Sequence, residues 1–233
     1  MKKELTAKPA TPKPFVQPWG WSKLEQYRTC PQKFHYLNVQ KLKEPESLAL
    51  VNGSKVHDQL EQYVNGWSQE LPPGMSPFWK ARLDELKLQS PFSEAAWGVD
   101  RDWLPLNNWL HPSTWLRAKS DVYRIDLDEN TLILIDYKTG KYRVPSDDQI
   151  ELYAIVGHCF FPKVKKVVAS FWFVDQDAEP LELDYKAAEL VKLRRKFTLE
   201  SAKLYNEKQF APKPGSHCRY CHFSRQKNGP CKY

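Results

Sequence analysis

The chain has 233 residues, 41% of them hydrophobic and 13% aromatic, which excludes a wholly disordered protein and leaves room for one sizeable core with appendages. Its 35 Lys and Arg against 28 Asp and Glu leave a net charge of +7, a balance that favours an anionic partner such as nucleic acid. No apolar run approaches the roughly 20 residues of a membrane helix, and the opening MKKELTAKPATPKPF lacks the apolar centre of a secretory signal, so a soluble, cytoplasmic protein is expected.

Residues 1–18 carry Pro9, Pro12, Pro14 and Pro18 among lysines and threonines and read as an extended tail. The fold proper is expected from Trp19. SKLEQYRTCPQKFHYL places Ser22 and Glu25 at capping-box spacing and breaks at Pro31, which predicts two short helices meeting at Cys30-Pro31. Ser47 is set to cap a helix to about Val64, within which Gly53 implies close approach by another element. Ser76-Pro77 opens a further helix to about Leu88.

The period then changes. Residues 92–99, 115–127 and 131–137 read as strands, the last two joined by the turn DEN. A helix over about 146–160, the apolar strand KVVASFWFV, a short strand near 181–185 and a basic helix over about 186–208 follow. This order predicts an α/β protein, a mixed sheet core flanked by helices with an N-terminal helical addition and a C-terminal cysteine-rich tail.

The stretch LILIDYKTGK ends an aliphatic strand in an acid, an aromatic and a lysine. Asp136 and Lys138 are two residues apart in a strand and therefore share a face. Asp121 lies in the preceding strand, LRAKSDVYRID. Two carboxylates suit Mg²⁺ or Mn²⁺, and a neighbouring ammonium can orient water or offset phosphate charge, which is the chemistry of phosphodiester hydrolysis. The alternative is an acid–lysine pair capping a sheet edge. His57 is a candidate additional ligand on its helix, Glu94 either joins the site or faces solvent, and Gln149 and Tyr153, four apart, share a helix face.

GSKVH, SEAAW, LRAKSDVYRID, LIDYKTGK and QIELY, in that order, resemble the successive motifs of the PD-(D/E)XK nuclease superfamily, in particular its RecB-like exonuclease branch. The resemblance spans residues 20–231 and implies a restriction-endonuclease-like core within a nuclease domain over 19–210. It implies that His57, Asp121 and Asp136, with the Tyr137 carbonyl, bind the catalytic metal. Lys138 is then the catalytic lysine, with Gln149 and Tyr153 the helical motif beside it. Ala118 and Ser120 stand where the branch usually has glycine and an aliphatic residue, and no GxxxxGK[ST] phosphate loop is present.

Of five cysteines, Cys218, Cys221 and Cys231 cluster in HCRYCHFSRQKNGPC, and Cys30 would complete a set of four. Chemistry alone leaves Zn²⁺ and iron–sulfur both open, with His217 and His222 also available. The tail is similar to that of CRISPR-associated and AddB-like members of the branch. That similarity implies a 4Fe-4S cluster on Cys30, Cys218, Cys221 and Cys231, held by a 211–233 tail that packs with Cys30. Cys159, within IVGHCFF, is expected to be a packing residue.

Lys192, Arg194, Arg195, Lys196 and Lys203 crowd one helix, and Arg219, Arg225 and Lys227 follow in the tail, as solvated charge or as a phosphate track. The resulting expectation is a metal-dependent deoxyribonuclease, an exonuclease acting on single-stranded DNA or DNA ends. Alternatives are a structure-specific endonuclease and a non-catalytic DNA-binding adaptor. A homo-oligomer and partners of the recombination or CRISPR type are compatible with the resemblance.

Overall fold

The computed structural model describes residues 15–140 and 146–233. The expected N-terminal tail lies outside the described residues as far as residue 14. In chain order the elements are α1 (Trp21–Thr29), α2 (Pro31–Asn38), α3 (Leu48–Val64), α4 (Pro77–Leu88), β1 (Phe92–Val99), β2 (Pro105–Leu106), β3 (Leu116–Asp126), β4 (Thr131–Lys138), α5 (Asp147–Phe160), β5 (Lys166–Phe173), β6 (Leu181–Lys186) and α6 (Ala187–Asn206). Two short 3₁₀ turns, Ser216–Tyr220 and Arg225–Lys227, follow.

Helix boundaries follow local chemistry. The hydroxyls of Ser47 and Ser76 accept from the N–H groups of Leu50 and Trp79, and Ser146 accepts from Asp148, so each satisfies a donor that an open helix end would leave bare. Pro31 and Pro77 occupy first-turn positions, where a missing N–H costs nothing. Helix α1 departs from the expected Ser22 cap and begins at Trp21. The reason lies just upstream: Trp19 bridges to Leu116, donating to the Trp115 carbonyl and accepting from Arg117, and this fixes the backbone entry.

The chain divides into two units. The larger, Pro18–Trp21 with Glu46–Thr198, holds a six-stranded sheet in the order β2-β1-β3-β4-β5-β6. Only β4 and β5 run parallel, with α5 as their crossover, and every other neighbouring pair is antiparallel. Helix α5 lies over Leu132 and Leu134 at Gly157, where an added Cβ would come within 2.8 Å of the Leu132 side chain. On the other side, α3 and α4 bury Leu60, Tyr63, Val64, Trp79, Leu83 and Leu86 against Val122, Ile135 and Tyr137. At about 1.5–3 kcal/mol for each large apolar side chain removed from water, these two contact layers hold the sheet. The result is the expected mixed α/β fold, a six-stranded mixed sheet flanked by helices. The two-residue strand β2 was not legible in the sequence.

The smaller unit comprises, among the described residues, 15–17, Ser22–Pro45 and Leu199–Tyr233. Its core is aromatic: Phe34 meets Phe15 edge-on and stacks on Phe210, while Tyr36 packs against Phe223. Arg28 pairs with Glu200, and the Tyr27 hydroxyl donates to Glu207 at 2.9 Å. No helix among the described residues is long and apolar enough to cross a membrane.

Candidate functional site

Strands β3 and β4 pair from Asp126↔Thr131 as far as Val122↔Ile135 and there part. Beyond that point β4 keeps its parallel partner, with Asp136, Tyr137 and Lys138 set against Phe171, Trp172 and Phe173. The Tyr137 N–H, left without a β3 carbonyl, donates to the Asp121 carboxylate at 2.7 Å. A side chain thus takes over a ladder bond, and Asp121 is fixed beside the residue that separates Asp136 from Lys138.

The other oxygen of Asp121 lies 3.0 Å from His57 Nδ1 on α3. Burial works to lower the pKa of His57, but the hydrogen bond and charge of Asp121 prevail and raise it. Helix α3 comes this close because of Gly53, one turn before His57: an added Cβ would lie 3.0 Å from the Thr139 hydroxyl. The close approach expected from Gly53 is to the end of the DYKTG strand itself.

Asp136 and Lys138 do share a face. Lys138 Nζ lies 2.5 Å from the buried Asp136 Oδ2, an ion pair. Burial pushes the Asp136 carboxyl up to about 6, with Lys138 opposing and Asp121 adding to the rise. The lysine also donates to Gln149 Oε1 at 3.2 Å and sits 4.7 Å from the centre of the Phe171 ring. Gln149 Nε2 in turn donates to the Tyr153 hydroxyl at 3.3 Å. A chain of contacts therefore runs Tyr153, Gln149, Lys138, Asp136, with Asp121 and His57 alongside. Glu94 pairs with Lys119 instead, and its backbone is left-handed at φ 55°.

Sequence reasoning missed the loop after β5. Gly140, at φ +86°, donates its N–H to Asp175 at 2.6 Å and accepts from Gln176 Nε2 at 2.8 Å. The Gln176 carbonyl is itself held by Trp79 Nε1 at 2.5 Å. This latch fixes the Thr139-Gly140 turn. Its one sequence signal was acidic and amide residues directly after an apolar strand parallel to β4.

In the smaller unit, Cys30, Cys218, Cys221 and Cys231 line one small cavity of about 20 Å³. Cys30 stands at the N-cap of α2 without capping, so its buried thiol is uncommitted. Tyr36 joins them: burial, then the charges of Cys231, Cys30 and Cys221, raise its pKa. Cys231 Sγ lies 3.3 Å from Gln32 Oε1. Cys159 is buried in the other unit, where burial lifts its pKa to about 11, as suits a packing residue. Among the described residues no group of three or more His, Cys, Asp or Glu forms a ready-made metal-ligand set.

The PD-(D/E)XK nuclease superfamily model matches residues 18–122 and 111–226. The chain belongs to the PD-(D/E)XK nuclease superfamily. Membership makes it a nuclease by family and DNA its implied substrate. Among solved structures, a proposed exonuclease of Eubacterium rectale is 12% identical, with 93% of this chain and 90% of that one covered at a TM-score of 0.54, a likeness of fold. The structure of SSO0001 is 15% identical over 90% of this chain and 84% of that one, at a TM-score of 0.43. No curated protein matches the sequence.

Proposed function

We propose that this nuclease is a metal-dependent exonuclease that hydrolyses single-stranded DNA or DNA from its ends. The observation that carries the reading is the convergence of the buried Asp136 carboxylate with Lys138, Asp121 and His57 where β3 and β4 part. Two neighbouring carboxylates, one of them buried, are costly beside a single ammonium, and hard oxygen donors with a histidine suit the family's usual Mg²⁺ or Mn²⁺. Asp121, Asp136 and His57, with the Tyr137 carbonyl, would hold the ion. When bound, it supplies positive charge that acidifies a water and offsets the phosphate.

The chain's own groups do the positioning. Lys138, held by Gln149 and by the face of Phe171, presents an ammonium toward the scissile phosphate and the attacking water. A new P–O bond forms from that water as the bond from phosphorus to the leaving oxygen breaks, and the proton lost by water ends on solvent or on the leaving oxygen. Tyr153 fixes the amide that fixes the lysine. Exonuclease action is supported by the fold shared with the proposed exonuclease of Eubacterium rectale. The test is digestion of end-labelled linear and circular single strands with Mn²⁺ or Mg²⁺. Loss of linear DNA with circles intact is expected, and cutting of circles would reassign the enzyme as an endonuclease.

The reading includes a structural 4Fe-4S cluster on Cys30, Cys218, Cys221 and Cys231, within a tail, residues 211–233, that packs with Cys30. Four free thiols around one cavity, none in a disulfide, form a soft donor set of the right count. Protein purified without oxygen should be brown, absorb near ~400 nm and carry about four irons per chain, as a Cys₄-held cubane requires. Stoichiometric zinc in colourless protein would replace the cluster with a Zn²⁺ site.

A further inference from the structure

The positive charge of this protein is not spread over it. Residues 22–45 and 199–233 carry twelve Lys and Arg against four Asp and Glu, while residues 18–21 and 46–198 carry nineteen against twenty-three. The unit that holds the DYK residues is thus net acidic, and the cysteine-bearing unit is strongly basic. A polyanionic strand gains little from the former outside the site itself.

Three of the four acids of the small unit are already engaged, all but the exposed Glu25. Glu200 pairs with Arg28, Glu44 with Lys33, and Glu207 accepts from Tyr27 and from the N–H groups of Gln209 and Phe210. Arg219, Arg225, Lys227 and Lys232 are exposed and have no ion pair among the described residues. Two exposed aromatics stand among them: Tyr220 is 71% exposed with Arg219 near its ring, and Tyr233 is 44% exposed with Lys232 near its ring. The basic run of α6, the other phosphate track suggested by sequence, is partly spent internally. Lys196 is held by Asp148 and Glu151 at 2.6 and 2.7 Å, and Arg194 lies against Trp103.

The backbone that carries the tail residues is fixed. Arg225 N–H donates to the Tyr233 carbonyl at 2.6 Å and Cys231 N–H to the Phe223 carbonyl at 2.9 Å. Asn228 turns the chain at φ 56°, and Gly229 runs so close to the Phe223 backbone that a Cβ would overlap it at 2.3 Å. Cations and aromatics presented on a fixed loop lose little conformational freedom on binding.

We infer that the cysteine-bearing unit is the single-stranded DNA grip of this protein, Arg219, Arg225, Lys227 and Lys232 meeting phosphates while Tyr220 and Tyr233 stack on bases. Phosphate contacts with interleaved aromatic faces are how unpaired strands are held without regard to sequence. The inference rests on the nuclease reading for its substrate class. It assigns affinity to one unit and cleavage to the other.

The experiment measures anisotropy of a labelled oligo-dT in EDTA, with full-length protein purified without oxygen, across a salt series. Arg219→Glu/Arg225→Glu/Lys227→Glu should weaken binding at least about tenfold and lower the salt slope by about 2, at ~0.7 per phosphate contact on a single strand. The control Lys192→Glu/Arg195→Glu, on exposed cations of α6, should stay within about threefold of wild type. Tyr220→Ala should weaken binding about tenfold with Tyr220→Phe restoring it. Should the charge reversal unfold the tail, Arg219→Gln/Arg225→Gln/Lys227→Gln with wild-type melting gives the same reading. Unchanged affinity in the tail variants, equal loss in the α6 control, or tighter binding of duplex than of oligo-dT overturns the grip. Wild-type cleavage of DNA alongside unaffected tail variants sinks this inference alone, whereas wild type that neither binds nor cuts any DNA sinks the nuclease reading.

Discussion

The Asp121 carboxylate accepts the main-chain N–H of Tyr137 at 2.7 Å, replacing the ladder partner that β3 withdraws from β4. The two strands part at this point, and the Asp121 carboxylate ties β3 back to the β4 backbone, near enough to Asp136 for its charge to raise that carboxyl's pKa. Because the bond is to backbone, it sets the position of both Asp136 and Lys138. Asp121→Asn keeps an acceptor for that N–H, while Asp121→Ala does not. Both should lose cleavage by at least ~100-fold, the scale of a lost transition-state contact, but only Asp121→Ala should also lower Tm. Equal melting of the two variants would remove the structural half of this role.

Asp136→Asn and Lys138→Ala, made separately, should abolish cleavage while oligo-dT binding stays within about twofold. They remove contacts to the ion and the reacting phosphate and leave the surface cations in place. Cleavage at the wild-type rate by either variant would discard the site.

Asp136 also sets a pH dependence. Its carboxyl is raised by burial to about 6, so between its unfolded value near 3.8 and that figure the folded state binds more protons than the unfolded one. In metal-free protein this group therefore favours the fold below about pH 4, and that contribution, about 3 kcal/mol at most, is lost as pH rises through 6. Asp136→Asn should flatten that fall and raise the metal-free Tm at pH 7.5. Mn²⁺ affinity of the wild type, followed by EPR, should drop about fourfold from pH 7.5 to 5.5, because the carboxyl must ionise to ligate. A pH-independent Mn²⁺ affinity would contradict this.

Gly53→Ala sets two effects against each other. Alanine favours the helix by about 1 kcal/mol, yet its Cβ would sit 3.0 Å from the Thr139 hydroxyl, beside the DYK strand end. Tm should move by less than about 3 °C while kcat falls several-fold, with Gly53→Val far worse on both counts. Full activity in Gly53→Val would show that the turn after Lys138 needs no such approach.

Gln149→Ala should reduce kcat about tenfold with KM little changed, since it frees the Lys138 ammonium without touching surface cations. Tyr153→Phe, one bond further out, should cost less. Gln149→Glu, which keeps an acceptor, should recover part of the loss, and a change confined to KM would point to substrate binding instead.

Much of this arrangement was legible because it is local. The caps at Ser47 and Ser76, the period-2 placement of Asp136 and Lys138, and the four-residue step from Gln149 to Tyr153 follow from spacing alone. What was not legible depends on strands meeting in space. The parting of β3 and β4 beyond Val122 and Ile135, the Asp175–Gln176 latch on Gly140, and the pairing of Glu94 with Lys119 leave no periodic trace. The basic run on α6 stayed open between solvated charge and a phosphate track because sequence does not show that Asp148 and Glu151, one turn apart on α5, capture Lys196. The opposite signs of charge on the two units were hidden for a similar reason, since the net +7 sums over a division that only the fold reveals.

The cysteine-bearing unit is assembled from residues 22–45 and 199–233, with the whole catalytic sheet threaded between them. During synthesis, then, Cys30 leaves the ribosome early and waits for some 190 further residues before Cys218, Cys221 and Cys231 follow. At roughly 5–20 residues per second that interval is on the order of ten seconds or more, during which the nuclease sheet can fold alone while the early thiol stays unpartnered. On the proposed reading, a nascent chain would carry Asp121, Asp136 and Lys138 before its cysteine unit closes, and a cluster on the four cysteines would be inserted into a nearly finished chain.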